Sequence, residues 1–164
     1  MRRIVMILMA CGIASGAVAD PSLDREARDF LARYIALGEA FDPAVAELYA
    51  DDALVKAYRR YPFGLERAME MSGVAWKELI RTAMPWAKAQ NDRSDFRAPE
   101  FQVDEGRVKI KANRYSFRKC YLDTGYYMIL ARQPDGSLRI VEEYTETQPQ
   151  SDCRPAPVSA DPVD

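Results

Sequence analysis

The spacing of apolar residues divides this chain into helical stretches followed by extended ones. Leu23, Ala27, Phe30, Leu31, Tyr34 and Leu37 recur at helical intervals behind Ser22, a good capping residue, which predicts a helix ending near Gly38. Asp42 before Pro43 predicts a short second helix, because proline at the first helical position gives up an N–H that has no intrahelical partner. Residues 53–60 read as a strand, broken at Pro62-Phe63-Gly64. Helical sequence is expected from Leu65 to about Met71 and again from Gly73 to Met84, where Trp76, Leu79, Ile80 and Ala83 form one apolar face and Pro85 ends or kinks the helix. Beyond that point alternation takes over: 95–103, a turn at Asp104-Glu105-Gly106, then 107–118, 124–133 and 137–147. Helices followed by a run of antiparallel strands predict an α+β layer arrangement.

The N-terminus follows a different rule. Arg2 and Arg3, the apolar run Ile4 to Ala10, and Ala17-Val18-Ala19 before Asp20 have the layout of a cleaved signal peptide spanning residues 1–19. The apolar run falls short of the roughly 20 residues a bilayer span requires. A lipoprotein signal ending at Cys11 is the other processing reading, and Met9 fits it poorly. The expectation is therefore a periplasmic or secreted protein without a transmembrane segment. One domain over 20–153 and a disordered, proline-bearing tail over 154–164 complete the predicted organisation. The net charge of −2, more negative once Arg2 and Arg3 leave, gives no general attraction to nucleic acid.

Export would leave two cysteines, Cys120 and Cys153. A hairpin of 126–133 and 137–146 turning at Pro134-Asp135-Gly136 puts Cys120 opposite Gln150 when extended outward, close enough to Cys153 for a disulfide that pins the tail to the sheet. The alternative is two free thiols. The chain contains no histidine, so an activated catalytic cysteine or a zinc, haem or non-haem iron site is not expected, and neither metal nor cofactor is assigned.

The run Arg33-Tyr-Ile-Ala-Leu-Gly-Glu-Ala-Phe-Asp-Pro-Ala-Val-Ala-Glu-Leu-Tyr-Ala-Asp-Asp-Ala-Leu-Val55 resembles the opening of the nuclear transport factor 2-like superfamily. That superfamily includes SnoaL-like cyclases, ketosteroid isomerases and many non-enzymatic binders. The resemblance covers roughly residues 23–147 and implies a curved mixed or antiparallel sheet wrapped around about three N-terminal helices, forming a cone with a pocket. It also implies pairing of two copies through the sheet face. Residue by residue, the resemblance weakens the catalytic reading. Tyr34 stands where the isomerases carry an oxyanion-binding tyrosine, but their base position falls on Ala57, and Tyr126-Tyr127-Met128-Ile129-Leu130 offers no acid where their second carboxyl sits. The cyclases need a histidine that is absent. The helical sequence Leu65 to Met71 is an insert relative to the family, placed to cover the pocket mouth or extend an interface.

Alternation assigns the pocket-facing side chains. Leu138 and Ile140 share a face with Glu142 and Tyr144, and Val108, Ile110 and Ala112 share one with Arg114 and Ser116. The predicted ligand-binding set is Tyr34, Trp76, Arg114, Tyr126, Met128, Glu142 and Tyr144, with Tyr34, Glu142 and Tyr144 as catalytic candidates. Arg114 against Glu142 could hold a carboxylate, organise a proton transfer, or simply close the cavity as an ion pair. A bulge near Asn113 would instead send Arg114 to solvent. Three function classes follow. The first is a non-catalytic binder of a small apolar or amphipathic molecule, the second a lyase or isomerase with an unfamiliar acid–base set, the third a dimeric interaction module of the cell envelope.

Overall fold

The computed structural model describes residues 21–148 and 151–153. The predicted signal peptide, Cys11 with it, and the 154–164 tail lie outside the described residues. Helix α1, Pro21–Ala40, buries Leu23, Ala27, Phe30 and Leu31, as the 3.6-residue spacing predicts. It runs past Gly38. Phe41 N–H donates to the Gly38 carbonyl (3.1 Å) and Asp42 N–H to the Leu37 carbonyl (2.9 Å), closing the helix with Phe41 in the left-handed region at φ 55°. A glycine usually takes that position, and here an aromatic ring does. Asp42 then caps a short 3₁₀ helix, Pro43–Leu48, by accepting from Ala44 N–H at 2.8 Å.

Strand β1, Tyr49–Arg60, starts earlier than its alternation suggests. The stretch predicted to be helical from Leu65 to Met71 is instead strand β2, Glu66–Ser72, hairpinned to β1 through a turn in which Gly64 has φ 84°. Seven cross-strand pairs, from Leu54 with Ser72 to Arg60 with Glu66, fix it as a strand. The segment is exposed along nearly its whole length, so no burial period distinguishes helix from strand, and pairing with β1 decides the outcome. Helix α2, Gly73–Ala89, follows at once and runs through Pro85. The remaining strands are β3, Ser94–Asp104; β4, Arg107–Ser116; β5, Tyr121–Asp123; β6, Tyr127–Arg132; and β7, Leu138–Thr147.

The strands form an open seven-stranded sheet in the order β2-β1-β7-β6-β4-β3, with β5 beside β4. Only β1 and β7 run parallel, which makes the sheet mixed. The helices pack on one face, where Val55, Val108, Ile110, Met128, Leu130 and Ile140 are completely buried. Two register shifts shape that face. On β3, Ala98 takes φ 49° and interrupts the pairing between Arg97 and Glu100. On β7, Leu130 of β6 pairs with Ile140 while Ile129 pairs with Glu142, which leaves Val141 as an extra residue. Cys120 and Cys153 form a disulfide with Cα atoms 5.0 Å apart, joining the β4–β5 connection to the segment after β7. Closing a loop of that length is worth about 3–4 kcal/mol in the chain-entropy picture.

Candidate functional site

Between the helices and the inner sheet face lies a partly open cavity of about 460 Å³. The helical side is largely apolar: Ile35 of α1 and Phe41 just after it, then Leu79, Ile80 and Met84 from α2, with Glu39 the acidic exception. The left-handed backbone at Phe41 is what presents its ring to this wall. Along β7 the inward positions are Glu143, Thr145 and Thr147, all three in the lining.

Glu143 anchors the inner end, only 3% exposed. Tyr49 donates to its Oε2 at 2.6 Å, and Tyr126 donates to Oε1 at 2.7 Å. Tyr34 donates to Oε1 at 3.1 Å, its hydroxyl also 3.3 Å from that of Tyr49. Charge-assisted bonds of this kind are stronger than neutral ones, and three of them compensate a carboxylate that burial would otherwise penalise. Burial, and then the Glu143 charge, push the Tyr34, Tyr49 and Tyr126 phenols well above their ordinary range. They therefore stay neutral donors at any physiological pH. The rings are locked as well: Phe96 packs edge-on between Tyr34 and Tyr126, and Trp76 edge-on to Tyr49.

Arg114 reaches the cavity from β4, as alternation along that strand predicts; β4 pairs regularly through Asn113, and the irregular strand is its partner β3. Its guanidinium donates to Ser94 Oγ and to the Glu146 carbonyl, both at 3.0 Å, with Nε 3.8 Å from the buried Asp123 carboxylate. Asp123 is itself held by the backbone N–H groups of Gly125 and Glu146.

Three expected placements need correction. Glu142 and Tyr144 lie on the outer face, not in the cavity, because the extra residue at Val141 breaks the alternation counted from Ile140. Glu142 there accepts from Tyr127 at 2.6 Å and pairs with Lys56 at 2.9 Å, and these, the Tyr127 bond first, hold its carboxyl below the usual carboxylate range. Arg114 and Glu142 consequently never meet. Tyr144 stacks on Tyr127 and donates to Glu146, burial first raising its phenol to about 12. Met128 faces inward but is sealed in the core rather than lining the cavity. Tyr34, Trp76, Arg114 and Tyr126 do line it.

Two members of the cluster, Tyr49 and Glu143, escape the sequence reading. Tyr49 could have been found as the first residue after the 3₁₀ helix; Glu143 could not be told from Glu142 without the bulge. Ala57, the residue that the sequence resemblance aligns with the isomerases' base, lines the cavity with a methyl group. Among the described residues, no cluster of three or more His, Cys, Asp or Glu side chains is placed to hold a metal ion.

No family model and no curated protein matches the sequence. Solved structures do match in fold. A nuclear transport factor 2-like protein from Pseudomonas putida aligns over 79% of this chain and 89% of its own, with TM-score 0.59 and 12% identity. One from Shewanella baltica covers 79% of this chain and 96% of its own at TM-score 0.55 and 9% identity. One from Novosphingobium aromaticivorans, with a cystatin-like fold, covers 76% and 81% at TM-score 0.51 and 17% identity. At such identities the likeness concerns the fold alone.

Proposed function

Starting from a nuclear transport factor 2-like fold, we propose that this protein is an exported, non-catalytic domain that binds a small apolar or amphipathic molecule in its cavity. The observation that carries the reading is the cavity itself: about 460 Å³, walled by apolar side chains, with a few convergent polar groups at its ends. Ala57 supports the absence of the family's base, and the inner carboxyl is already engaged by three phenols. Export is supported by the Cys120–Cys153 disulfide, since such bonds persist in oxidising compartments. Native mass spectrometry of the protein taken from its own host tests both parts. A retained small molecule on a chain starting at Asp20 is the expected result. A chain that retains nothing, and takes up nothing from a lipid and metabolite extract, overturns the binding reading; an uncleaved chain in the cytoplasmic fraction overturns export.

One observation favours a second reading, proton transfer by Glu143. A buried carboxylate with phenol donors, in contact with a cavity, is also the equipment of an acid–base catalyst. The readings part on exchange. If Glu143 moves protons, a retained ligand incorporates solvent deuterium with the wild-type protein and not with Glu143→Gln; a plain binder leaves it unlabelled.

A further inference from the structure

The two ends of the cavity differ in charge. At the inner end the Glu143 carboxylate repels an anion, and the oxygens of Tyr34, Tyr49 and Tyr126, having donated their hydrogens, are left as acceptors. At the other end stand three arginines. Arg59 lies two residues beyond Ala57 on β1 and pairs across to Thr147, the outermost cavity position of β7. Arg114 donates to the carbonyl of Glu146, the neighbour of Thr147, and to Ser94. Arg93 precedes Ser94, so the three converge on one rim. Strand geometry separates that rim from Glu143 by about 13 Å, four residues of β7.

Two of the three rim arginines lack an acidic partner among the described residues, and only Arg114 has one, in Asp123. Among the described residues, neither Arg59 nor Arg93 has a carboxylate within ion-pair distance. Arg114 has Asp123 near its Nε, but that buried nitrogen makes no hydrogen bond. Of the other acids in the lining, Asp92 is engaged by Arg118, and Glu39 stands exposed on α1. Both Arg59 and Arg93 are exposed, so they can reach a headgroup without leaving a buried charge unpaired when the cavity is empty. Between the two ends the lining is mainly apolar, with Thr145 of β7 lying between Glu143 and the rim.

We infer that the ligand is an amphipathic anion, a carboxylate-bearing molecule whose headgroup sits at the mouth against Arg59, Arg93 and Arg114 while its apolar body lies along α2 toward Trp76 and Phe96. This inference rests on the binder reading above and gives it a chemical class and an orientation. Arginine suits the role because its planar fork meets a carboxylate with two parallel hydrogen bonds. The reverse orientation would set an anion against Glu143.

Calorimetric titration with matched probes tests it: dodecanoate against dodecanol and dodecylammonium, all below their micelle concentrations, and naphthoate against naphthol. The expected result is that at least one carboxylate binds about tenfold or more tightly than its neutral partner. Added salt should narrow the gap, since the rim is exposed. The double variant Arg59→Gln/Arg93→Gln, both surface positions, should lose most of the preference and keep the affinity for the neutral probe. Equal binding of charged and neutral probes overturns the anion assignment and leaves the binder reading standing. A preference that survives in the double variant overturns the placement of the headgroup. If no probe binds and an extract supplies no ligand either, the binder reading falls and this inference with it.

Discussion

Tyr49 donates a hydrogen bond to the buried Glu143 carboxylate at 2.6 Å, shorter than those from Tyr126 and Tyr34. Tyr49→Phe keeps the ring against Trp76 and removes only the donor. A hydrogen bond to a charged group is worth about 1.5–3 kcal/mol, so the variant should unfold at lower urea with an unchanged m-value, by a free energy in that range. An unchanged midpoint would show the bond contributes nothing. The same cluster fixes a pH dependence. Because Tyr34, Tyr49 and Tyr126 hold their protons above their unfolded value, their contribution to stability is complete below about pH 10 and is lost as pH rises toward the folded values. Each phenol should add a loss of about 1.4 kcal/mol per pH unit in that alkaline window. Near-ultraviolet phenolate absorbance from these three should appear together with loss of the circular dichroism signal. Ionisation of all nine tyrosines while the fold persists would contradict it.

At the scale of elements, what could be read from the chain depended on whether a periodic signal survived intact. Tyr34 follows from helix α1, whose spacing is unbroken, and Arg114 follows from β4, which pairs without interruption at that point. Glu143 does not follow, because a single extra residue at Val141 resets the alternation and nothing in Val-Glu-Glu-Tyr marks it. The strand β2 was illegible for another reason: it is an exposed edge whose identity comes from its partner. The cysteine pairing could be read because a hairpin turn fixes register over many residues. A glycine at the start of α2 carries the tightest demand among these elements. A Cβ on Gly73 would collide with the Ala50 carbonyl oxygen and crowd that of Asp51, while Lys77 clamps the same segment through Asp51 at 2.6 Å. Gly73→Ala must push α2 off the irregular start of β1, at a cost of about 1–3 kcal/mol. Thermal unfolding should show a clear drop in Tm; a wild-type Tm would mean that helix and strand separate freely there.

Across the whole molecule, the cavity has a direction. Helix α1 supplies Tyr34 to the inner end, Phe41 follows at its terminus, and α2 supplies much of the apolar wall. The turn after α2, closed by Asn91 in the left-handed region at φ 48°, delivers Asp92 and Arg93 to the rim. The cavity thus has the Glu143 cluster at its inner end and Arg59, Arg93 and Arg114 at the other, supplied by residues from both helices, the turn after α2 and the sheet. The chain's two tryptophans also differ sharply in surroundings. Trp86 is 52% exposed under the Arg118 guanidinium, while Trp76 borders the cavity with its indole N–H unpartnered. The protein therefore carries its own optical gauge. In Trp86→Phe, all indole emission comes from one ring whose hydration changes when the cavity fills. A saturable shift in that emission, with the same midpoint as the heat of binding, should follow occupancy without any label. The floor of the cavity would then be watched by a chromophore that the fold already placed there.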